Sequence, residues 1–356
     1  MSIETKDIIV EKVKTSKIDQ VDFDNLAFGS VFTDHMLVCT YKNGAWETPK
    51  IVPYQPITLD PSSKIFHYGQ SIFEGMKAYK DDKEDVYLFR PLENFKRFNI
   101  SAERMCIPQL PQEHFMTGLT TLLNLDKDFI PTKDGSSLYI RPFMFASGNG
   151  FHASPANEYK FIIACAPSGA YFSGKVKVLI EEKYSRSANG GVGYAKTGGN
   201  YAGQFYPTQL AVKKGYNQVI WTDDTNHEFI EEAGAMNIFI RINDTLLTGP
   251  TSDRILDGIT RKSILDIAKD QGIKTEVRKI KVEEVVEAAK DGSLKEMFGA
   301  GTAAVISPIS GFGFRDTDYE LPELENSFGQ RLKKIITDIQ YNKSEDKFGW
   351  RFKVEA

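Results

Sequence analysis

Short apolar runs alternate with amphipathic segments along this chain, and the alternation occurs twice, on either side of the connector PSGAYFSG (167–174). Runs rich in β-branched and aromatic residues are typical of strands, whereas apolar residues every three or four positions are typical of helices. In the first half the predicted elements are strands at DVYLFR (85–90), SSLYIRPFMFA (136–146) and KFIIACAP (160–167), and helices at 91–105 and 113–125.

The second half repeats this mixture with different elements. The predicted strands are KVKVLIEE (175–182), NQVIWT (217–222) and a hairpin-like pair at 236–243 and 245–250, and the predicted helices are 202–215, 257–272 and 326–340. The helix DGITRKSILDIAKDQG (257–272) has Asp257 as its expected N-cap and Gly272 as its stop. The pattern predicts an α/β protein of the α+β type, with a domain at 1–167, a linker at 168–174 and a domain at 175–356.

Composition narrows the classes of function. The 356 residues are 41% apolar and 26% charged, with a net charge of −4, which is the balance of a globular protein. The charges of both signs are interleaved, so a nucleic-acid or anionic-membrane partner is not expected. Cys39, Cys106 and Cys165 show no metal-binding or disulfide spacing, and no signal-peptide core is visible, so we expect a cytoplasmic protein.

One lysine lies in an unusually glycine-rich stretch, GGVGYAKTGGNYAGQ (190–204). A flexible surface loop is one interpretation of Lys196 in this setting. A nucleotide-binding P-loop is another, although Ala195 replaces its second glycine and the glycines after Thr197 disfavour the helix that a P-loop opens. The third is a nucleophilic amine that forms a Schiff base, because glycines allow the backbone to approach a flat ring closely.

The third interpretation requires an acid for a ring nitrogen and a cradle for a phosphate, and the sequence offers both. Glu232 directly precedes a small-residue turn and an apolar strand, where a carboxylate could keep a pyridine nitrogen protonated. The amides of Ile259 and Thr260 open a helix and could bind phosphate. The turn GAGTA offers the hydroxyl of Thr302, and Arg90 ends a predicted strand as a fixed positive charge.

Seven segments in order resemble branched-chain amino acid aminotransferases of the longer subtype, which is similar to the mammalian enzymes. They are HYGQSIFEGMKAYK, LFRPLENFKRF, SLYIRPFMF, GGVGYAKTGGNYA, EEAGAMNIFI, LDGITRKSIL and MFGAGTAAVISP, and the resemblance runs from about Phe28 to the last helix. It implies a fold type IV pyridoxal-phosphate enzyme, with a smaller N-terminal and a larger C-terminal domain.

The resemblance also implies roles for single residues. Lys196 is similar to the Schiff-base lysine that shuttles the substrate Cα proton, Glu232 to the partner of the pyridine nitrogen, and Tyr201 to the phenol at the ring 3′-oxygen. The positions similar to phosphate ligands are Arg90, Arg186, Ile259, Thr260 and Thr302. The positions similar to the substrate side are Phe28, Tyr68, Phe73, Tyr139, Arg141, Phe151, Ala153, Tyr171 and Ala303.

Some positions depart from the family pattern. The CxxC redox switch of the mammalian enzymes is replaced by Ala304 and Ser307, so we expect no thiol control there. Ala235 stands where a threonine is usual, and Phe151 and Ala153 replace an aliphatic pair on the loop that reaches the neighbouring subunit of a homodimer.

The implied activity is transfer of the amino group of L-leucine, L-isoleucine or L-valine to 2-oxoglutarate, with pyridoxal 5′-phosphate as cofactor. Other activities of the same fold remain open at this point, namely D-amino acid aminotransferase and aminodeoxychorismate lyase. From other classes, a P-loop NTPase and a binding protein without a cofactor also remain open.

Overall fold

The computed structural model describes residues 8–169 and 176–355, which divide into two compact units. The described residues of the first unit are 8–169, 195–198 and 338–355, and those of the second are 176–194 and 199–337. The sequence-based division placed everything after 174 in the second domain, so the structure differs in two segments, and the first unit takes the larger share of the chain. Hydrogen bonding gives the reason, because Thr197 bridges Ile72 and residues 351–353 pair with residues 87–89.

The strands and helices cover most of the described chain. Those up to the connector are β1 (Ile9–Val10), β2 (His35–Lys42), β3 (Ala45–Trp46), β4 (Lys50–Pro53), α1 (Lys64–Tyr68), β5 (Ser71–Phe73), β6 (Met76–Lys80), β7 (Val86–Phe89), α2 (Pro91–Arg104), α3 (Gln112–Leu125), β8 (Ser137–Ala146) and β9 (Tyr159–Ser168). Those after it are β10 (Val176–Ile180), α4 (Gly199–Ala202), α5 (Phe205–Lys213), β11 (Gln218–Thr222), β12 (Phe229–Ala233), β13 (Met236–Ile242), β14 (Thr245–Thr248), α6 (Ile259–Asp270), β15 (Lys274–Val277), β16 (Ile280–Lys281), α7 (Val282–Asp291), β17 (Leu294–Gly301), β18 (Val305–Phe314), β19 (Thr317–Glu320), α8 (Phe328–Gln340) and β20 (Arg351–Lys353).

The first unit is built on one sheet of mainly antiparallel strands. Its order is β1-β4-β2-β9-β8-β6-β7-β20, with β3 beside β2 and β5 beside β8. The helices α2 and α3 and the strands of the sheet share one apolar core. Its fully buried side chains include Phe98 of α2, Phe115 and Leu119 of α3, and Phe161 of β9. The aromatic rings of Phe98, Phe115 and Phe161 contact one another, which fixes both helices against the central strand β9.

The second unit contains a mixed sheet that closes on itself. Neighbouring strands pair in the order β13-β17-β18-β10-β11-β12, and β12 also pairs with β13, so these strands form a ring. The neighbours of β10 are parallel to it on both sides, whereas β17 and β18 form an antiparallel hairpin. Val178, Ile220, Ile238 and Phe312 belong to one buried cluster in this unit. A closed ring leaves few free strand edges, and its turns can carry functional groups.

The predicted helices and strands are confirmed by the structure, with small shifts at their ends. The expected N-cap of α6 is wrong, because Gly258 occupies that position and Asp257 forms an ion pair with Lys262 instead. Gly272 follows the helix with a φ of +64°, as a stop residue should. None of the helices in the described ranges is long and apolar enough to cross a lipid bilayer.

Candidate active site

Lys196 lies on a short extended segment that is hydrogen-bonded to the first unit. The amide of Phe73 donates to the carbonyl of Lys196 over 2.9 Å, and the Thr197 hydroxyl donates to the carbonyl of Ser71 over 2.7 Å. The amide of Lys196 donates to Oγ of Ser101 on α2 over 2.9 Å. The backbone on both sides of this lysine is therefore tied to a strand and to a helix.

This geometry overturns two of the three interpretations of the glycine-rich lysine. A flexible surface loop is wrong, because residues 195–198 are bonded to β5. A P-loop is also wrong, since its lysine must open a helix whose amides hold phosphate. Here the helix begins at Gly199 and ends after four residues, at Ala202.

The ε-amine of Lys196 lies over the aromatic ring of Phe73. Its Nζ is 4.8 Å from the centre of the Phe73 ring, and the Arg141 guanidinium is 4.7 Å from the same ring. Arg141 donates to the hydroxyl of Tyr139 over 2.9 Å, and the ring of Phe28 packs edge-on against Tyr139 at 4.7 Å. Four positions assigned to the substrate side thus form one group beside the lysine.

The other assigned positions of the first unit form a second group. The hydroxyl of Tyr68 donates to the carbonyl of Phe151, and the ring of Phe151 meets His67 edge-on at 4.9 Å. Phe151 is 71% exposed, and Ala153 on the same loop is also exposed. Tyr171 lies outside the described residues.

Glu74 is a residue of this region that the sequence reasoning missed. It is fully buried, and Arg97 on α2 donates to its two oxygens over 2.7 and 2.9 Å. Burial alone would raise the pKa of Glu74, but Arg97, Lys196 and Asn94 together hold it below its ordinary value. An acid inside the apolar run SIFEGM was the signal that could have identified it.

Arg90 adopts an unusual backbone conformation between β7 and α2. Its φ of +50° lies in the left-handed region, which costs free energy for a residue with a side chain. Its amide donates to the carbonyl of Trp350 over 2.8 Å, and its guanidinium lies 5.0 Å from the Trp350 ring. This contact fixes the direction of a side chain predicted to bind phosphate.

In the second unit, Glu232 and Arg186 form a buried ion pair. The two side chains are each 3% exposed, and 2.7 Å separates Nη1 of Arg186 from Oε2 of Glu232. The amide groups of Asn237 and Leu256 donate to the other oxygen of Glu232 over 3.2 and 3.3 Å. Nε of Arg186 is buried and has no hydrogen-bond partner within the part of the chain that the structure describes.

The start of α6 lies beside this pair in the same unit. Ile259 and Thr260 are its first residues, and Gly258 is its N-cap. A Cβ at Gly258 would overlap the side-chain oxygen of Asn237, so this turn requires glycine. The amides of the first turn and the helix dipole favour an anion there.

Thr302 and Ala303 lie in the tight turn between β17 and β18. Val305 follows with a φ of +59°, a conformation that is rare for a β-branched residue and therefore marks a constrained turn. Tyr201 lies in α4 and is partly buried. The predicted phosphate and ring positions are thus distributed between helix starts and turns.

A second buried network, also missed by sequence reasoning, supports Arg186. The carbonyl of Arg254 accepts hydrogen bonds from Arg186 over 3.2 Å and from Ser187 over 2.9 Å. The guanidinium of Arg254 contacts Glu231 and, over 3.0 Å, Asp224. The adjacent acids Glu231 and Glu232 are therefore both buried, and each pairs with its own arginine.

Comparison with known proteins identifies the family. The amino-transferase class IV model matches residues 71–312. Branched-chain-amino-acid aminotransferase 2 of Bacillus subtilis (strain 168) is 42% identical over 357 residues, covering 99% of this chain and 98% of the relative. The chain therefore belongs to the class IV aminotransferases and, within that class, to the branched-chain-amino-acid aminotransferases.

Solved structures agree with this assignment. The Escherichia coli branched-chain amino acid aminotransferase superposes with a TM-score of 0.75 at 26% identity, covering 90% of this chain and 99% of that one. The enzyme of Thermobaculum terrenum, solved in its pyridoxal-phosphate form, shares the fold with a TM-score of 0.73 at 18% identity, covering 91% and 99%. The fold and the class are thus those that the seven sequence segments implied, and the class depends on pyridoxal 5′-phosphate.

Proposed function

We propose that this enzyme transfers the amino group of L-leucine, L-isoleucine or L-valine to 2-oxoglutarate, giving a branched 2-oxo acid and L-glutamate. The observation that carries the proposal is the position of Lys196, whose backbone is hydrogen-bonded to Phe73 and Ser101 and whose ε-amine lies over the Phe73 ring. The full-length similarity to a branched-chain-amino-acid aminotransferase supports the choice of substrate.

The residues present suit pyridoxal 5′-phosphate. Lys196 supplies the amine for its aldehyde, Glu232 a buried carboxylate for its ring nitrogen, and Tyr201 a phenol for its 3′-oxygen. The residues proposed to hold its phosphate are Arg90, Arg186, Ile259, Thr260 and Thr302. The buried Nε of Arg186 and the side-chain-free N-cap of α6 are the features expected of an anion site. Bound there, the cofactor supplies an electron sink for the substrate carbanion.

Three side chains have separate roles in transamination. The ε-amine of Lys196 removes the proton from the substrate Cα and returns one later, as a general base and acid. Glu232 keeps the ring nitrogen protonated, because a buried negative charge favours the charged form of a neighbouring cation. Arg141 orients the substrate carboxylate directly or through Tyr139.

The substrate side must accept two different side chains. Phe28, Phe73 and Tyr139 offer apolar surface to a branched aliphatic chain. The second carboxylate of 2-oxoglutarate needs a polar contact, for which the hydroxyl groups of Tyr68 and Tyr139 are suited. Ala303, in the turn after β17, offers its amide to the α-carboxylate.

A coupled assay tests this function directly. The purified enzyme is given 2-oxoglutarate with L-leucine, L-isoleucine, L-valine or D-alanine, and glutamate is measured. We expect glutamate from the three branched L-amino acids and none from D-alanine. Glutamate from D-alanine alone would indicate a D-amino acid aminotransferase, and pyruvate from aminodeoxychorismate would indicate the lyase.

We also propose that the enzyme is a cytoplasmic homodimer, with an interdomain linker at 168–174. The exposed rings of Phe151 and Tyr68 support the dimer, because a neighbouring subunit would cover them. Light scattering should give twice the chain mass of 40.1 kDa. A particle with the mass of a single chain at assay concentration would contradict the dimer.

A further inference from the structure

Phe73 is the last residue of β5, and Glu74 and Gly75 connect it to β6. The ring of Phe73 lies under Nζ of Lys196, at 4.8 Å. Gly75 lies against Tyr139, and a Cβ at this position would overlap the tyrosine hydroxyl. Glu74, between them, is directed into the unit and is fully buried. This tripeptide therefore contacts Lys196 through Phe73 and Tyr139 through Gly75.

Glu74 is bound on every side by groups that suit a carboxylate. Arg97 donates to both oxygens, and Asn94 donates to one of them over 2.8 Å. The amide of Glu74 donates to the carbonyl of Pro142 over 2.7 Å. Proline has no amide to return that bond, so the pairing with β8 ends at Phe73 and resumes at Met76.

The helix α2 connects this carboxylate with the lysine backbone. Arg97 and Ser101 lie one turn apart on the buried face of α2, and Oγ of Ser101 donates to the carbonyl of Arg97 over 3.0 Å. The same Oγ accepts the amide of Lys196. One helix turn therefore binds both Glu74 and Lys196.

We propose that Glu74 is a positioning residue for transamination, which holds Phe73 under Lys196 and Gly75 against Tyr139. This inference rests on the function proposed above. Glu74 is fully buried and is not among the residues assigned to the substrate or the cofactor. It acts through its two sequence neighbours, through α2 and through its charge, which Lys196 also senses. A loss of its charge lets the ε-amine move away from its position over the Phe73 ring.

The test uses E74Q, which keeps the size of the side chain but removes its charge. We expect kcat/KM for L-leucine to fall by about a hundredfold, mostly in kcat, because small displacements of a reacting group cost that much. In the cofactor-free chain, amine-reactive labelling of Lys196, measured by peptide mass spectrometry relative to exposed lysines, should rise. Unchanged kcat and unchanged labelling would overturn the proposal.

Two further variants separate positioning from stability. D126N removes another buried carboxylate of the same unit, which is bonded to His35. It should lower the melting temperature but leave kcat and Lys196 labelling unchanged. The double variant E74Q/R97M removes both charges of the pair, which can restore stability.

Even if E74Q folds poorly, the double variant shows whether Glu74 positions Lys196 or only stabilises the fold. We expect E74Q/R97M to stay at the lowered kcat, with raised labelling of Lys196. Recovery of wild-type kcat and labelling in the double variant would show that the pair acts through stability alone and would overturn the inference. Absence of transamination by the wild-type enzyme would instead refute the proposed function, while the labelling of the cofactor-free chain would still report on Glu74.

Discussion

Each unit contains a buried glutamate that contacts an arginine, yet the two acids differ in protonation. In the first unit, burial opposes ionisation of Glu74, but its partners lower its pKa. In the second unit, burial raises the pKa of Glu231 to about 7 against the opposing charge of Arg254.

The surroundings of the two acids explain the difference. Glu74 receives two hydrogen bonds from Arg97 and one from Asn94, and Lys196 adds a second positive charge. Arg254 instead shares its guanidinium between Glu231 and Asp224, and the acids Asp223 and Glu232 raise the pKa of Glu231 further. Burial raises the pKa of both acids, and the charges and donors around each one set the difference between them.

Replacement of each glutamate by glutamine should show the largest difference in stability between the two acids. E74Q removes the carboxylate with which the buried Arg97 forms its ion pair, so we expect the free energy of unfolding to fall by about 3–5 kcal/mol. E231Q should cost about 1 kcal/mol, because its carboxyl is already partly neutral near pH 7. Denaturant titrations of both variants at pH 7 measure this. Equal losses would show that the two acids do not differ.

Replacement of each arginine by lysine should give a smaller difference in stability between the two ion pairs. R97K loses the two-pronged contact with Glu74, and we expect it to cost about 2 kcal/mol. R254K loses single contacts to two acids, and about 1 kcal/mol is expected. Denaturant titration of the two variants side by side gives the comparison, and a larger loss in R254K would reverse it.

The pH dependence of stability should have opposite signs at the two acids. The pKa of Glu74 is lowered from 4.5, so its contribution is present above that pH and is lost on acidification. The pKa of Glu231 is raised from 4.5 to about 7, so its contribution is present at low pH and is lost as the pH rises through this window.

The variants E74Q and E231Q test these two opposite pH dependences. The stability difference between wild type and E74Q should shrink below pH 4.5. The difference between E231Q and wild type should grow in favour of E231Q between pH 4.5 and 7, by about 1.4 kcal/mol per pH unit at most. Parallel pH profiles of the two differences would contradict this account.

Two buried thiols extend the comparison, because the negative charges of Glu47 and Asp126 add to the effect of burial on their pKa values. Burial raises the pKa of Cys39 to about 12 and raises that of Cys165 further. Iodoacetamide at pH 8 should therefore alkylate the exposed Cys106 alone in the native protein. Mild oxidation should leave activity unchanged, since Ala304 and Ser307, at the positions that the resemblance to the mammalian enzymes assigns to a redox pair, have no thiol. A reversible loss of activity that maps to this turn would contradict the prediction.

Sequence patterns predicted twelve of the twenty-eight strands and helices in the described part of the chain, because strand and helix periodicity is local. The strands β2, β17 and β18 and the helix α7 were not predicted. The helices starting at Pro91 and Gln112 and the long strand ending at Ala146 lie within a residue or two of their predicted bounds. The assignment of Lys196 to a unit could not be predicted in this way. It depends on hydrogen bonds to Ser71, Phe73 and Ser101, which lie about a hundred residues away in the sequence.

The same limit applies to the candidate site. The motifs led to Lys196 and Glu232 because their residue types stand out in a glycine-rich or small-residue setting. The supporting charges did not stand out, since Glu74 and Arg254 gain their meaning only from partners brought close by folding. The roles of single residues stay predictions until they are measured.

The most direct test concerns the covalent attachment of the cofactor. The purified holoenzyme is reduced with borohydride, digested and analysed by peptide mass spectrometry. The account predicts a phosphopyridoxyl group on Lys196, in the peptide that contains GYAKTGG, and no such group in the K196A variant. An unmodified Lys196, or the same group on a different lysine of the wild-type enzyme, would contradict it.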